Sequence, residues 1–472
     1  MTSIFAKQAL LPAGWANNVL VTISADGHIE SVTENTVNGT GDTVNGNPAN
    51  GTGGSPADHA VSVLLPSPVN AHSHAFQRAM AGLTERRGPN TDDSFWTWRQ
   101  LMFRFLDQLT PDDVETIAAF VQMEMLEAGY ATNVEFHYLH HQPGGIPYDN
   151  ISEMAERIAA AGSTSGIGLT LLPVHYEFGG CDRRELGAGQ IRFGNSFNRF
   201  AKLYEGATAA VAKLPTDAGT GVAPHSLRAV APEDLPRLAE LASGRPVHLH
   251  LAEQIAEVEE VKAAWGSRPV EWVLDNTDLS SQWCMIHCTQ MLPHETEGLA
   301  KSGAIAGLCP ITESSLGDGI FDGHNWLHHG GAIAIGSDSN IRISLSEELR
   351  TLDYSQRLRD HSRAALATQS KSTARNLFDH ILEGGAKAAN RNCGRIEAGL
   401  WADLFTLNTD HVDLHGRAGD VLLDTYVFAG DDRMVKEVWS AGRHLVKDGR
   451  HTGRSGIEQK YRTVLGRLGD HM

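Results

Sequence analysis

From residue 61 onward the chain repeats one pattern eight times: a short apolar, β-like run, then an amphipathic or alanine-rich stretch of helical character. The runs are VSVLLPSPV, TNVEFHY, IGLTLLPVHY, GTGVAPH, PVHLHL, WCMIH, GAIAGLC and GAIAIGSD. Apolar strands alternating with helices form parallel sheets covered on both faces, and eight such units close into a barrel. The helical stretches carry matching boundary signals. In TPDDVETIAAFVQMEMLEAG, Thr110 is placed to cap, Pro111 to occupy the first turn and Gly129 to follow the end. The expected fold is therefore α/β, a (β/α)8 TIM-like barrel over residues 66–392.

The 472 residues exceed what one hydrophobic core usually holds. Residues 18–32 (NVLVTISADGHIESV) read as a hairpin turning at Asp26-Gly27. Beyond about residue 395, RIEAGLWADLFTLN and RMVKEVWSAGRHLVKDGR read as short strands and turns. Each end supplies too few strands to stand alone. Residues 1–65 and 393–472 are thus expected to join as one small β-sandwich domain, the latter ending in a tail. The Gly/Asn/Thr-rich segment at 35–56 reads as a flexible surface insertion.

The chemically active residue types fall at the ends of the apolar runs, the face on which barrel active sites form. They are His72 and His74 in N-A-H-S-H, His250 and Glu253 in H-L-H-L-A-E, His287 in M-I-H-C and Asp338 in G-S-D-S. Between the first two lies P-H-S-L-R, with His225 and Arg228. Side chains alternate across a strand, so His72 and His74 share a face and can grip one ion. One H-x-H alone is weak, since packed or surface histidines produce it often. Three imidazoles and a carboxylate, each at a strand end, describe an open catalytic site of the zinc type, which supplies a nucleophilic water near neutral pH. Asp338 can hold the metal and accept the water proton. Glu253 is placed to protonate a leaving nitrogen, and His287 to polarise the developing oxyanion or orient the attacking water. His248 should sit deeper, packed or hydrogen-bonded. Alternation sets Cys284 and Cys288 opposite His287, as buried thiols. His140 and His141 read as solvent-facing or supporting groups, and His328 and His329 as a solvated helix end.

A net charge of -18 argues against nucleic acid or an anionic membrane as partner. Five cysteines without a C-x-x-C fit a reduced, cytoplasmic protein. No signal peptide is evident and no apolar run approaches a membrane span.

Taken together, these segments resemble the amidohydrolase superfamily and, more narrowly, its formimidoylglutamate deiminases. H-S-H and G-S-D are shared across the superfamily, whereas HSHAFQR, WTWR and HSLRAV are far narrower. The resemblance covers nearly the whole chain. It implies one zinc per chain, or another divalent metal, held by His72, His74, His250 and Asp338, with Glu253 and His287 as the acid/base pair. It places Gln77, Arg99, Tyr138, His225 and Arg228 around a small dianionic substrate, N-formimino-L-glutamate, which water converts to N-formyl-L-glutamate and ammonia in histidine degradation. Two arginines and a tyrosine hydroxyl suit two carboxylates. A homodimer is expected at the family level. Asn340 stands where the resemblance leads one to expect histidine, and the insertion at 35–56 is also foreign to it. Two other readings remain: a deaminase of an aromatic base or another amidine, and a non-catalytic scaffold. Arg99 with Arg228 argues against a neutral base, and the full set of metal-binding side chains against the scaffold.

Overall fold

A computed structural model describes residues 1–36, 56–85 and 95–469. Most of the insertion expected at 35–56 lies outside the described residues.

Eight parallel barrel strands follow in chain order: Val69–Ser73, Thr132–His137, Gly168–His175, a fourth in two short pieces (Gly219–Thr220 and Ala223–Pro224), Val247–Leu251, Trp283–His287, Ile305–Leu308 and Ala332–Ile335. Each pairs with its neighbour in sequence. The bridge Val222–Val247 joins the fourth strand to the fifth, and Ile335–Asn70 returns the eighth to the first. The ring is therefore complete, as the eightfold repeat requires.

The helix Pro111–Glu127 shows why the flanking pattern folds as it does. The Thr110 hydroxyl accepts the Asp113 N–H at 3.3 Å, while the Asp113 carboxylate accepts the Thr110 N–H at 2.8 Å. Two otherwise unsatisfied donors are thereby paired. Gly129 follows the helix at φ 97°.

The first apolar run divides where a single strand was expected. His59–Pro66 belongs to the smaller sheet and only Val69–Ser73 enters the barrel. Pro66 and Pro68 lack N–H donors, so one ladder cannot run through both. His59–Pro66 is also the seam between the chain ends, parallel to Thr2–Leu11 and antiparallel to Leu404–Leu407. Around it the strand order is Arg450–His451, Arg443–Lys447, Val435–Ser440, Leu404–Leu407, His59–Pro66, Thr2–Leu11, Gly14–Ile23 and Ile29–Thr33, hydrogen-bonded in one continuous path. All its other pairs are antiparallel, including the hairpin around Gly27.

The C-terminal region holds more helix than the reading of strands and turns expects. Gly419–Phe428 and Arg454–Gly469 are helical. The latter buries only Ile457, Tyr461 and Leu468, too sparse an apolar stripe to read from sequence. It is held by tertiary packing, with Tyr461 stacked on Phe120 at 3.8 Å between ring centroids.

A buried ion-pair network clamps the small sheet to the barrel. Arg391 bridges Asp403 (2.6 Å) and Asp217 (3.0 Å), and Arg443 also grips Asp217 at 2.7 Å.

Candidate metal centre

The eighth strand brings the distant acid to the paired histidines. Asp338 N–H donates to the His72 carbonyl and His74 N–H to the Asp338 carbonyl, both at 2.9 Å. Gly336 makes this approach possible: a Cβ there would lie 2.6 Å from His72 Cβ and 2.7 Å from His72 N. Asp338 leaves its strand at φ 45° and His287 at φ 71°. Such left-handed residues are costly for non-glycine side chains and concentrate at functional sites. Ala252, at φ 52°, breaks the alternation between His250 and Glu253. Glu253 thereby reaches the same cleft as His250.

The donor atoms of His72, His74, His250 and Asp338 all lie within 4.8 Å of one another. His72 Nε2 and His74 Nε2 stand 3.4 and 3.2 Å from Asp338 Oδ1, and His250 Nε2 is 3.1 Å from His72 Nε2. Carbonyl oxygens fix two of the rings from behind: Nδ1 of His74 donates to Phe136 O at 2.9 Å, and Nδ1 of His250 to His225 O at 3.0 Å. In the neutral rings this leaves lone pairs at Nε2, aimed at one point. Burial is the main cause that pulls His72 down to about 3 and lowers His74 and His250. The neighbouring imidazoles push the same way on His72 and His250, and His287 on His74. Asp338 is held below the usual carboxylate range: burial raises it, but the imidazoles of His72, His74 and His287 outweigh that. Converging lone pairs and an ionised carboxylate fit a divalent cation.

Beside this group, His287 Nε2 lies 3.8 Å from Asp338 Oδ2 and 3.9 Å from Glu253 Oε1. Burial pulls the His287 imidazole down, but Glu253, Glu313 and Asp338 outweigh it and hold it well above its usual range. Burial pushes the Glu253 carboxyl up to about 7, with Glu257 and Asp338 adding to the rise and His287 and Arg228 opposing it.

The same cleft is lined by Gln77, Arg99, Tyr138, His225 and Arg228 together with Trp98, Met102 and Phe193. Gln77 Nε2 donates to the Tyr138 hydroxyl at 2.8 Å, and Arg99 Nη2 to the Tyr176 hydroxyl at 2.8 Å. Arg99 and Arg228 are both buried. At Arg228 burial disfavours the charge, yet Glu257, Tyr176, Glu253 and Glu260 more than restore it.

Three comparisons bear on this geometry. Residues 63–445 match the model of the amidohydrolase family, and residues 1–46 that of the N-terminal domain of the formimidoylglutamate deiminase HutF. The formimidoylglutamate deiminase of Pseudomonas aeruginosa is 43% identical over all of both chains. This chain belongs to the amidohydrolase family, among its formimidoylglutamate deiminases. It is a hydrolytic deiminase. An amidohydrolase from Brucella melitensis superposes with a TM-score of 0.91 at 44% identity, covering 99% of this chain and 100% of that one. A zinc-bound adenosine deaminase from Xanthomonas campestris shares the fold, with a TM-score of 0.80 at 20% identity, covering 99% and 98%.

In this amidohydrolase the candidate metal-holding, acid–base and substrate-contacting residues read from the sequence all reach one cleft or the cluster of three histidines and an aspartate beneath it. Tyr176 and Glu313 escape sequence reasoning. Tyr176 ends the run IGLTLLPVHY one residue past the strand, and Glu313 lies in the first turn of the helix Pro310–Leu316. A position at a strand end is the only signal for the first, and an acid four residues after Cys309 for the second. Of the two readings of His140 and His141 the solvent-facing one is excluded, since they are buried on Val174 O and on Gly194 O with Asn195 respectively. His248 is buried on Ala388 O at 2.9 Å, as expected. His328 is exposed at a helix end and His329 half-buried beside it. Asn340 takes part from behind: its amide donates to Ser73 Oγ and to Asp338 O, both at 3.1 Å, tying together the two strand ends.

Proposed function

We propose that this chain hydrolyses N-formimino-L-glutamate to N-formyl-L-glutamate and ammonia, with zinc held by His72, His74, His250 and Asp338. The observation that carries the substrate choice is the placing of Arg99 and Arg228 in the cleft above those four side chains, in a chain of net charge -18. A site that must draw in a dianion against such a field needs fixed cations, and guanidinium groups pair two-pronged with carboxylates. The relative's name supports the same substrate. Fold likeness to an adenosine deaminase does not favour a base, because a neutral ring offers no carboxylate to the guanidinium groups that line the cleft.

The bound cation supplies Lewis acidity and a water acidic enough to attack near neutral pH. The chain's own groups manage binding and protons. Arg99 and Arg228 hold the two carboxylates, with Tyr138, Gln77 and His225 completing the walls, so that the formimino carbon lies over His72, His74, His250 and Asp338. Attack forms a C–O bond at that carbon, and the proton released goes to Asp338. His287 Nε2 stabilises the charge that develops on oxygen. Glu253, with its carboxyl pushed up to about 7, is poised to hand a proton to the terminal nitrogen. The proton held by Asp338 passes to the same nitrogen, which leaves as ammonia as the C–N bond breaks, and the oxygen's remaining proton returns to Glu253 as the formyl carbonyl forms.

Ammonia release from N-formimino-L-glutamate, guanine, adenosine and N-formyl-L-glutamate tests this reading directly. Turnover of the first alone is the expected result. Faster turnover of guanine or adenosine would replace the assignment with a base deaminase.

A further inference from the structure

His287 has two faces, and the reaction uses only one. Its Nε2 looks into the cleft toward Glu253 and Asp338. Its Nδ1 looks the other way, 3.3 Å from Oε1 of Glu313. Glu313 is buried at 5% exposure. It is also fixed: the same Oε1 accepts the N–H of Cys309 at 2.8 Å, across the start of its own helix. The imidazole is further held flat against His250, 5.5 Å between centroids and 7° between planes.

An ionised carboxylate accepts hydrogen bonds and donates none, so a carboxylate at Nδ1 selects the ring form that carries hydrogen there. Proton exchange is then confined to Nε2, the nitrogen that faces the cleft. A backbone carbonyl does this for His74 and His250; His287 has a charged group instead. The geometry points to Glu313 as a positioning residue that fixes the orientation and tautomer of His287 without touching substrate. The inference rests on the deiminase reading only in so far as His287 acts in that reaction.

A purely structural Glu313 would serve only to hold the Cys309 N–H. Glu313→Gln separates the two roles, because the amide oxygen at Oε1 still accepts that N–H, while the negative charge that His287 Nδ1 faces is lost. In the zinc-loaded enzyme kcat should fall at least about 10²-fold, with KM within about threefold of wild type. Bound zinc should be unchanged. Independently, 15N spectra of histidine-labelled zinc-loaded wild type should show His287, identified by its loss in His287→Asn, with hydrogen on Nδ1. Wild-type kcat in Glu313→Gln would overturn the inference. So would a wild-type spectrum with hydrogen on Nε2 alone, which decides the matter even where the variant fails to fold. An inactive wild type would instead count against the substrate assignment, leaving the spectrum as the test of Glu313.

Discussion

Replacing Gly336 with alanine should loosen the metal. A Cβ at this position meets His72 at three atoms, Cβ at 2.6 Å, N at 2.7 Å and O at 2.8 Å, where ordinary contact begins near 3.4 Å. Two of the three are backbone atoms, so no side chain can swing aside. The first and eighth strand ends must part by about 0.6–0.8 Å, whereas metal sites tolerate about 0.2 Å in their bonding distances. Those strand ends carry His72, His74 and Asp338, which are locked together by the hydrogen bonds from Asp338 N to His72 O and from His74 N to Asp338 O. Overpacking of this kind costs about 1–3 kcal/mol. If that strain is relieved by yielding at the metal, zinc affinity falls about 5- to 140-fold, at 1.4 kcal/mol per decade. Competition against a chelating dye measures the affinity, and melting of the metal-free protein measures any separate cost to the fold. Wild-type affinity together with wild-type melting temperature would refute the reasoning, because the strand contact would then not set the geometry of the site.

Three further outcomes follow from the same structure. Glu253→Gln should lower turnover by at least about 10²-fold with zinc retained, since shape is kept and the acid is lost; near-normal turnover would assign proton delivery to another group. Chelation should remove turnover and zinc together and readdition should restore both, with about one zinc per chain at full activity; activity surviving complete metal removal would contradict the site. At Asp217 burial raises the carboxyl, but Arg443 and Arg391 outweigh it and hold it below the ordinary value. Its stabilisation is therefore present above the unfolded aspartate pKa of about 3.9 and is lost as pH falls through the lower folded value. Acid unfolding curves for Asp217→Asn should thus be flatter below about pH 4 than those of wild type and start from a protein about 3 kcal/mol less stable; parallel curves would show that Asp217 does not drive the acid transition.

Much of this architecture is legible in the residues, for physical reasons that can be named. The barrel is legible because apolar runs alternating with helices build a parallel sheet covered on both faces, and eight such units fit a closed ring. His72 and His74 can be paired from strand alternation alone. The same rule fails two residues after His250, because Ala252 turns left-handed and re-aims Glu253. It also fails to show that VSVLLPSPV serves two sheets, since an apolar run looks alike in either and only Pro66 and Pro68 hint at the break. The helix Arg454–Gly469 is invisible because its order comes from tertiary partners, the ring of Phe120 and the carboxylates of Glu127 and Asp113, rather than from its own periodicity. Glu313 and Tyr176 stay hidden because they act through partners far away in sequence, His287 and Arg99.

The central claim, that two buried arginines make this cleft a site for a dianion, is tested most directly by charge. Arg99→Met and Arg228→Met should each lower kcat/KM on N-formimino-L-glutamate by roughly 10²-fold or more, from about 3 kcal/mol for a buried pair losing one partner. The same variants should change kcat/KM on formamidine, a small neutral amidine, by less than about threefold. Equal losses on the charged and the neutral substrate would contradict the account, for the arginines would then support the fold of the cleft rather than recognise carboxylates.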